Sequence, residues 1–352
     1  MVESIKPEIK EYLKQYGGHT LAYSTVQPGM EHFIAEGVGY IPYMKHWFGQ
    51  PLVLSDPIVS DDNLEHITDK FLEQYSKPGF IQISTKYGKV LDQRGFDITD
   101  FGTDTHIELN KFTLKGKDFE YVRRKKNIAL RGGLEVREVT EFSDLDISIM
   151  KEISDEWLKT KSLKIEMPFL TRPLDYKIHE SVRYFLGYKD DDLVGYMFFD
   201  PMFRENKVIG YYADINRVSS RAPDGTMQAL VCEAADIFKN EEVELISLGL
   251  SPFYKVSADN PTFESRNRIV QSESEKTYND PFMDALYGFK GQSFNKSRFR
   301  GVDHMTHIAT KGTVFGLAQF VGLYYLQGIP FIRIQARKML SKLKLGRETN
   351  EG

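Results

Sequence analysis

The chain has 352 residues, 41% hydrophobic and 27% charged, with a formal net charge of −4. That length suits two domains or one large one, the composition suits a real core, and mild acidity argues against a protein coated all over in nucleic acid, though not against a local basic groove. The lone cysteine, Cys232, excludes an internal disulfide framework, and the charged start MVESIKPEIKEYLKQYGG does not read as a signal peptide, so export is not expected.

In chain order, residues 3–16 predict a helix stopped by Gly17-Gly18, followed by strands at 21–26 (LAYSTV) and 37–45 (GVGYIPYMK). The apolar, β-branched run 51–59 predicts a strand ending in a turn at Asp56-Pro57. Helical spacing of Leu64, Ile67, Phe71, Leu72 and Tyr75 predicts a helix over 61–76, and strands follow at 80–85 and 104–110. The stretch 113–132, TLKGKDFEYVRRKKNIALRG, reads as a basic helix ended by Gly132-Gly133, and the domain junction falls there. A second round begins with a strand at 134–139 and a helix through 143–160. It continues with a hairpin turned at Asp190-Asp191-Asp192, a strand at 207–215, a helix at 226–239 and a strand at 244–250. Cys232 lies inside that last helix and reads as a small buried apolar residue, not a nucleophile. Many strands alternating with helices in two similar rounds predict an α+β (mixed α/β) fold.

Three segments stand out for their chemistry. The loop from Asn216 to Thr226, with Arg217, Arg221 and Gly225, joins a strand to a helix start; it reads either as an anion site at a helix N-terminus or as a helix capped by Asp224 or Thr226. Residues 287–300, YGFKGQSFNKSRFR, alternate cations with aromatics, which suits either a phosphate-binding and base-stacking face or an edge strand with basic residues in solvent. Arg123, Arg124, Lys125 and Lys126 read either as a solvated helix face or as contacts to a nucleic-acid backbone. The eight histidines form no recognised metal-ligand set, and neither a Gly-x-Ser-x-Gly elbow nor a phosphate-binding P-loop is present.

Several of these stretches together, in one order, resemble a known family: the soluble catalytic domain of the multiple peptide resistance factor, the lysyl- or alanyl-phosphatidylglycerol synthases. The segments are VLSDPI (53–58), FGTDTHIELNKFTLKGKDFEYVRRKKNIA (101–129), ISDEWLKTK (153–161), DINRVSSRAPDGTM (214–227), LGLSPF (248–253) and FKGQSFNKSRF (289–299). The resemblance spans roughly residues 20–300 and implies two tandem GNAT-like acyltransferase domains. It implies an aminoacyl-tRNA donor in place of acetyl-coenzyme A, no cofactor and no metal. That donor agrees with the spacing of Arg221, Gly225 and Thr226, which does not fit the coenzyme A loop of GNAT enzymes. Two departures concern the acceptor. The family's large N-terminal multi-helix membrane domain has no counterpart in these 352 residues, and Gly301-Val302-Asp303 replaces its tryptophan after the basic motif. Asn295 also stands where the family has phenylalanine.

By that resemblance Asp214 holds the donor's α-ammonium or assists proton removal, Arg217 binds phosphate or the developing charge, and Lys296 and Arg298 contact the tRNA terminus or a lipid phosphate. Lys290, Arg221, Gly225, Thr226 and the Arg123, Arg124, Lys125, Lys126 cluster complete the expected substrate contacts. The expected domains are 1–112, 113–305 and a tail at 306–352. In the tail, an uncharged stretch from 312 precedes Arg333, Arg337, Lys338, Lys342, Lys344 and Arg347, with apolar residues at helical spacing between them. Residues 313–345 read either as an interfacial anchor for anionic phospholipid or as a helix packed on the protein. The expected function is tRNA-dependent aminoacyl transfer, lysyl or alanyl, to a phospholipid hydroxyl by a cytoplasmic protein peripheral to the inner membrane face, with no stable protein partner. The alternatives are a soluble or cell-wall-precursor acceptor, or an acyl-coenzyme A N-acyltransferase.

Overall fold

The computed structural model describes residues 5–46, 49–162, 164, 166, 168–264 and 268–328. Helix α1 (Pro7–Tyr16) opens with a proline in its first turn and buries Ile9 and Leu13. Strands β1 (Glu31–Ala35), β2 (Gly39–Lys45), β3 (Pro51–Leu54) and β4 (Ile58–Val59) follow, then α2 (Leu64–Gln74), β5 (Gly79–Ser84), α3 (Thr85–Asp92) and β6 (Asp97–Glu108). The basic helix α4 (Glu120–Arg131) leads to β7 (Leu134–Val139) and α5 (Asp144–Thr160), whose N-terminus carries a reciprocal capping box between Ser143 and Asp146. Next come β8 (Arg183–Lys189), β9 (Asp192–Arg204), β10 (Lys207–Val218), α6 (Thr226–Asn240) and β11 (Leu245–Pro252). The chain continues through α7 (Arg268–Asn279), α8 (Pro281–Tyr287), α9 (Phe289–Ser297), β12 (Val302–Thr310) and α10 (Thr313–Leu326).

Among the described residues, all twelve strands belong to one sheet, in the order β1-β2-β3-β5-β12-β6-β11-β10-β9-β8-β7, with β4 on β2. Two neighbouring pairs are parallel, β3 with β5 and β10 with β11, and each is joined by a helix, α2 and α6. Each half of the α+β fold thus contains the same strand–helix–strand unit, as tandem GNAT-like domains require. The halves share hydrogen bonds: β6 pairs with β11, and β12 lies between β5 and β6.

Two predicted elements differ. Residues 21–26 are not a strand but a turn leading into a 3-10 helix over Tyr23–Val26. The Thr25 hydroxyl donates to the Ala22 carbonyl at 2.6 Å and the Gln27 amide to the Ser24 carbonyl at 3.0 Å, so local bonds replace a ladder in a fully buried segment. Residues 287–300 are not an edge strand; Gly288, at φ +69°, separates the helices α8 and α9. Cys232 is buried in the core under α6, and burial pushes its thiol up to about 12.

Candidate active site

The parallel strands β10 and β11 pair only where Gly210–Tyr212 meet Leu245–Ser247. Beyond that they part. β10 continues beside β9, and the register slips between Ala213 and Ile215, which leaves Asp214 as the extra residue of a bulge. β11 slips between Ser247 and Leu250 and continues beside β6. At this fork Gly249 has φ +75°, and a Cβ there would lie 2.5 Å from the Tyr212 ring, so only glycine lets that ring approach the backbone.

Parting strands leave backbone carbonyls without ladder partners, and Lys296 supplies them. From α9 its ammonium donates to the carbonyls of Gly249 at 3.1 Å and Leu250 at 2.7 Å. Burial depresses this lysine to about 8, opposed by the charge of Asp104. Asp104 sits behind the fork on β6 and accepts bonds from Ser247 at 2.7 Å, from Thr20 and from His106 at 3.0 Å. Burial alone raises its carboxyl, but the His106 charge and these bonds hold it at about 2. Ser247 in turn accepts the Gly249 N–H at 3.0 Å, so the bend in β11 is fixed from two sides.

Asp214 is 8% exposed. One carboxyl oxygen accepts the Arg172 backbone N–H at 3.2 Å; the other is buried with no partner among the described residues. Burial, reinforced by the charge of Asp200 and opposed by Arg172, pushes Asp214 up to about 7. The Arg172 guanidinium makes two 3.0 Å bonds to Asp200, and both side chains are 1% exposed. Arg217, three residues along β10, lies elsewhere: its guanidinium stacks 3.6 Å above Trp157 of α5 and bonds both oxygens of Glu166 at 3.1 and 3.0 Å.

Two cavities flank the segment 168–176. One, about 200 Å³, is lined by Leu170, Thr171, Tyr212, Leu250, Phe253, Phe289, Leu323 and other uncharged residues. The other, about 440 Å³, is lined by Ser154, Glu166, Thr171, Arg172 and Tyr176 among others. Thr171 lines both.

The remaining expected contacts fall in three places. Gly225 is itself the N-cap of α6, in place of Asp224 or Thr226, at φ +91°; a Cβ there would lie 2.1 Å from the Lys125 carbonyl, so this glycine serves the close approach of α4 and α6. The Thr226 hydroxyl donates to the Pro223 carbonyl at 2.7 Å, and Arg221 is exposed. In the basic cluster Lys125 pairs with Asp224 at 2.5 Å, Lys126 with Glu233 at 2.9 Å, and Arg123 bonds the carbonyls of Leu114 and Gly116. Arg124 is exposed and approaches the Tyr121 ring, while Lys290 extends into solvent from α9. At the fork Asp214 lies on β10 with Arg172 and Asp200 near it, while Lys296 bonds the carbonyls of Gly249 and Leu250 on β11; Tyr212, Arg172 and Asp200 are three residues that sequence reasoning missed. Asp200, an acid inside the apolar run YMFFDPMF, was the available signal.

The first part of the tail packs on the body. Leu323 is buried with Leu52, Leu54 and Phe101, and the Gln319 amide donates to the Lys77 carbonyl at 3.2 Å. Residues 329–345, which carry the basic half of the expected anchor, lie outside the described residues. Among the described residues, no helix is long and apolar enough to cross a membrane.

Residues 10–310 match the model of the family described as phosphatidylglycerol lysyltransferase, C-terminal. The chain is 24% identical over 311 residues to a phosphatidylglycerol lysyltransferase of Bacillus subtilis (strain 168), covering 85% of this chain and 34% of that protein. It therefore spans about a third of that relative's length. Among solved structures, L-PGS from Bacillus licheniformis superposes with a TM-score of 0.75 at 21% identity, covering 92% of this chain and 97% of that one. A DUF2156 C-terminal domain from Agrobacterium fabrum gives 0.73 at 19% identity, covering 91% and 96%. Both likenesses concern the fold.

Proposed function

The chain belongs to the phosphatidylglycerol lysyltransferase C-terminal family, and on that premise we propose that it moves an aminoacyl group, lysyl or alanyl, from an aminoacyl-tRNA to a hydroxyl of a phospholipid such as phosphatidylglycerol. The observation that carries this reading is the fork: a buried Asp214 oxygen without a hydrogen-bond partner among the described residues, a carboxyl poised near neutrality, and the Lys296 ammonium anchored on the opened strand. The donor ester is already activated, so the work of the site is alignment and charge stabilisation. The acceptor hydroxyl attacks the ester carbonyl, the bond from that carbon to the ribose oxygen breaks, and the acceptor's proton ends on the ribose. Asp214 takes that proton in transit. Lys296 gives two N–H groups to Gly249 and Leu250 and keeps the third for the developing oxyanion.

Two cavities meeting at Thr171 suit two substrates arriving from different sides. The uncharged cavity beside Tyr212 is ours for the lipid acceptor. Arg217, held by Glu166 beside the second cavity, is the candidate for a donor phosphate. Of the other expected contacts we favour Arg124, Lys290 and Arg298. We read the chain as domains 1–112 and 113–305 with a tail from 306, and place it at the cytoplasmic face of a membrane through the basic part of the expected 313–345 anchor, residues 329–345. The test is to incubate the purified chain with lysyl- or alanyl-tRNA and phosphatidylglycerol vesicles, then extract lipid for mass spectrometry. An aminoacylated lipid that disappears in Asp214→Ala supports the reading; no aminoacylated lipid from either donor rejects it.

A further inference from the structure

The two basic stretches of the sequence meet around one ring. Phe294 of α9 stands edge-on to Tyr121 of α4, centroids 5.6 Å apart. The Arg298 guanidinium lies 4.1 Å from the Phe294 centroid and 5.5 Å from that of Tyr121, and Arg124 approaches Tyr121 at 6.0 Å. Phe294 is 44% exposed. Lys125 and Lys126, on the same helix as Arg124, are neutralised by acids of α6 and its N-terminal loop. Among the described residues no carboxylate pairs with Arg124 or Arg298, and the buried Nε of Arg298 has no hydrogen-bond partner. Core packing does not call for an open phenylalanine, and a solvated basic face does not call for guanidinium planes laid on rings. An open π-face beside unneutralised planar cations suits a nucleobase with its phosphates.

We propose that Phe294, Arg298, Tyr121 and Arg124 form a stacking platform for an unpaired base at the 3′ end of the donor RNA. This rests on the aminoacyl-tRNA reading above and adds where the terminal nucleotides lie. Helix α9 couples the platform to the fork: Lys296, two residues from both Phe294 and Arg298, reaches the Gly249 and Leu250 carbonyls. Side chains two apart on a helix point roughly 200° from each other, so Phe294 and Arg298 share one face of α9 while Lys296 leaves the opposite face toward the fork. A membrane surface fits less well, because interfacial helices present a broad apolar face, whereas the neighbours of Phe294 on its face of α9 are Lys290, Gly291, Ser297 and Arg298.

The test uses two RNA hairpins, one with an unpaired 3′ overhang ending in 2-aminopurine and one blunt, with Phe294→Ala, Phe294→Tyr and Arg298→Lys. Wild type is expected to bind the overhang RNA more tightly and to quench the 2-aminopurine. Phe294→Ala should weaken overhang binding about tenfold, abolish quenching and leave blunt binding unchanged. Phe294→Tyr should retain both, and Arg298→Lys should lose part of the quenching. Thermal melts matching wild type establish that the variants are folded. The platform is rejected if Phe294→Ala quenches normally, or if it weakens both RNAs equally. It is also rejected if RNA binding is untouched while binding to phosphatidylglycerol vesicles falls, which would make the surface a lipid contact. If wild type binds neither RNA, the donor reading fails with it, an outcome distinct from a Phe294-independent interaction.

Discussion

Burial works in opposite senses on the two titratable groups at the fork, pushing Asp214 up to about 7 and Lys296 down to about 8. If Asp214 acts deprotonated and Lys296 charged, kcat/KM for transfer should be bell-shaped, with an acid limb near 7 and an alkaline limb near 8. Lys296→Arg should remove the alkaline limb, and an unchanged limb in that variant would take Lys296 out of the chemistry. The sign for stability follows from the carboxyl's ordinary value of 3.8. Between that value and about 7 the folded chain keeps a proton that the unfolded chain releases, so stability falls as pH rises through this window. Asp214→Asn is therefore expected to stabilise the fold at pH above 7, with no gain below 3.8, while transfer drops at least ~100-fold. Urea unfolding at both pH values checks the first part and lipid product formation the second. Asp214, Arg217 and Lys296 were nameable from contiguous motifs. Arg172 was not, because its meaning comes from Asp200, which only the folded strands bring to it.

Among the elements, the α4–α6 contact depends on one residue without a side chain. Gly225→Ala combines φ +91° with a Cβ 2.1 Å from the Lys125 carbonyl, and should cost about 2 kcal/mol or more in urea unfolding. A loss under ~0.5 kcal/mol would show that the helices can separate freely. The loop's glycine looked in sequence like a phosphate cradle because both uses demand the same missing Cβ. The alternation of residues 287–300 misled in the same way, since a cation–aromatic pattern of period two is compatible with two short helices broken at Gly288. Most other elements were legible because their apolar spacing matched one face of a helix or a hairpin, as in α2 and in β8–β9. For the tail, the buried Leu323 and Gln319 place the useful cut at 329. Deleting residues 329–352 is expected to release the protein from anionic vesicles at low salt without changing its melting, since six cations near such a surface contribute ~1 kcal/mol each. Equal co-sedimentation of both forms would end the anchor idea.

At the scale of the molecule, the shared sheet makes the halves interdependent. The β6–β11 ladder and the seat of β12 between β5 and β6 cross between the front and back of the chain. Native-state hydrogen exchange should therefore show β5, β6, β11 and β12 opening together, whereas separate protection of the front and back strands would mean two independent units. The repeat of strand, helix and parallel strand was visible in the sequence as two similar rounds. The interleaving was not, because nothing local in VDHMTHIAT (302–310) states which edges it will fill. β12 also has a bearing on how the protein is made. It is synthesised after every other strand among the described residues, yet its place is in the middle of the sheet. As the nascent chain leaves the ribosome, β5 and β6 must wait with open edges until residues 302–310 arrive. Such edges are where unfinished chains pair wrongly, so a chaperone that shields the nascent front half should raise the yield of native protein more than one acting after release.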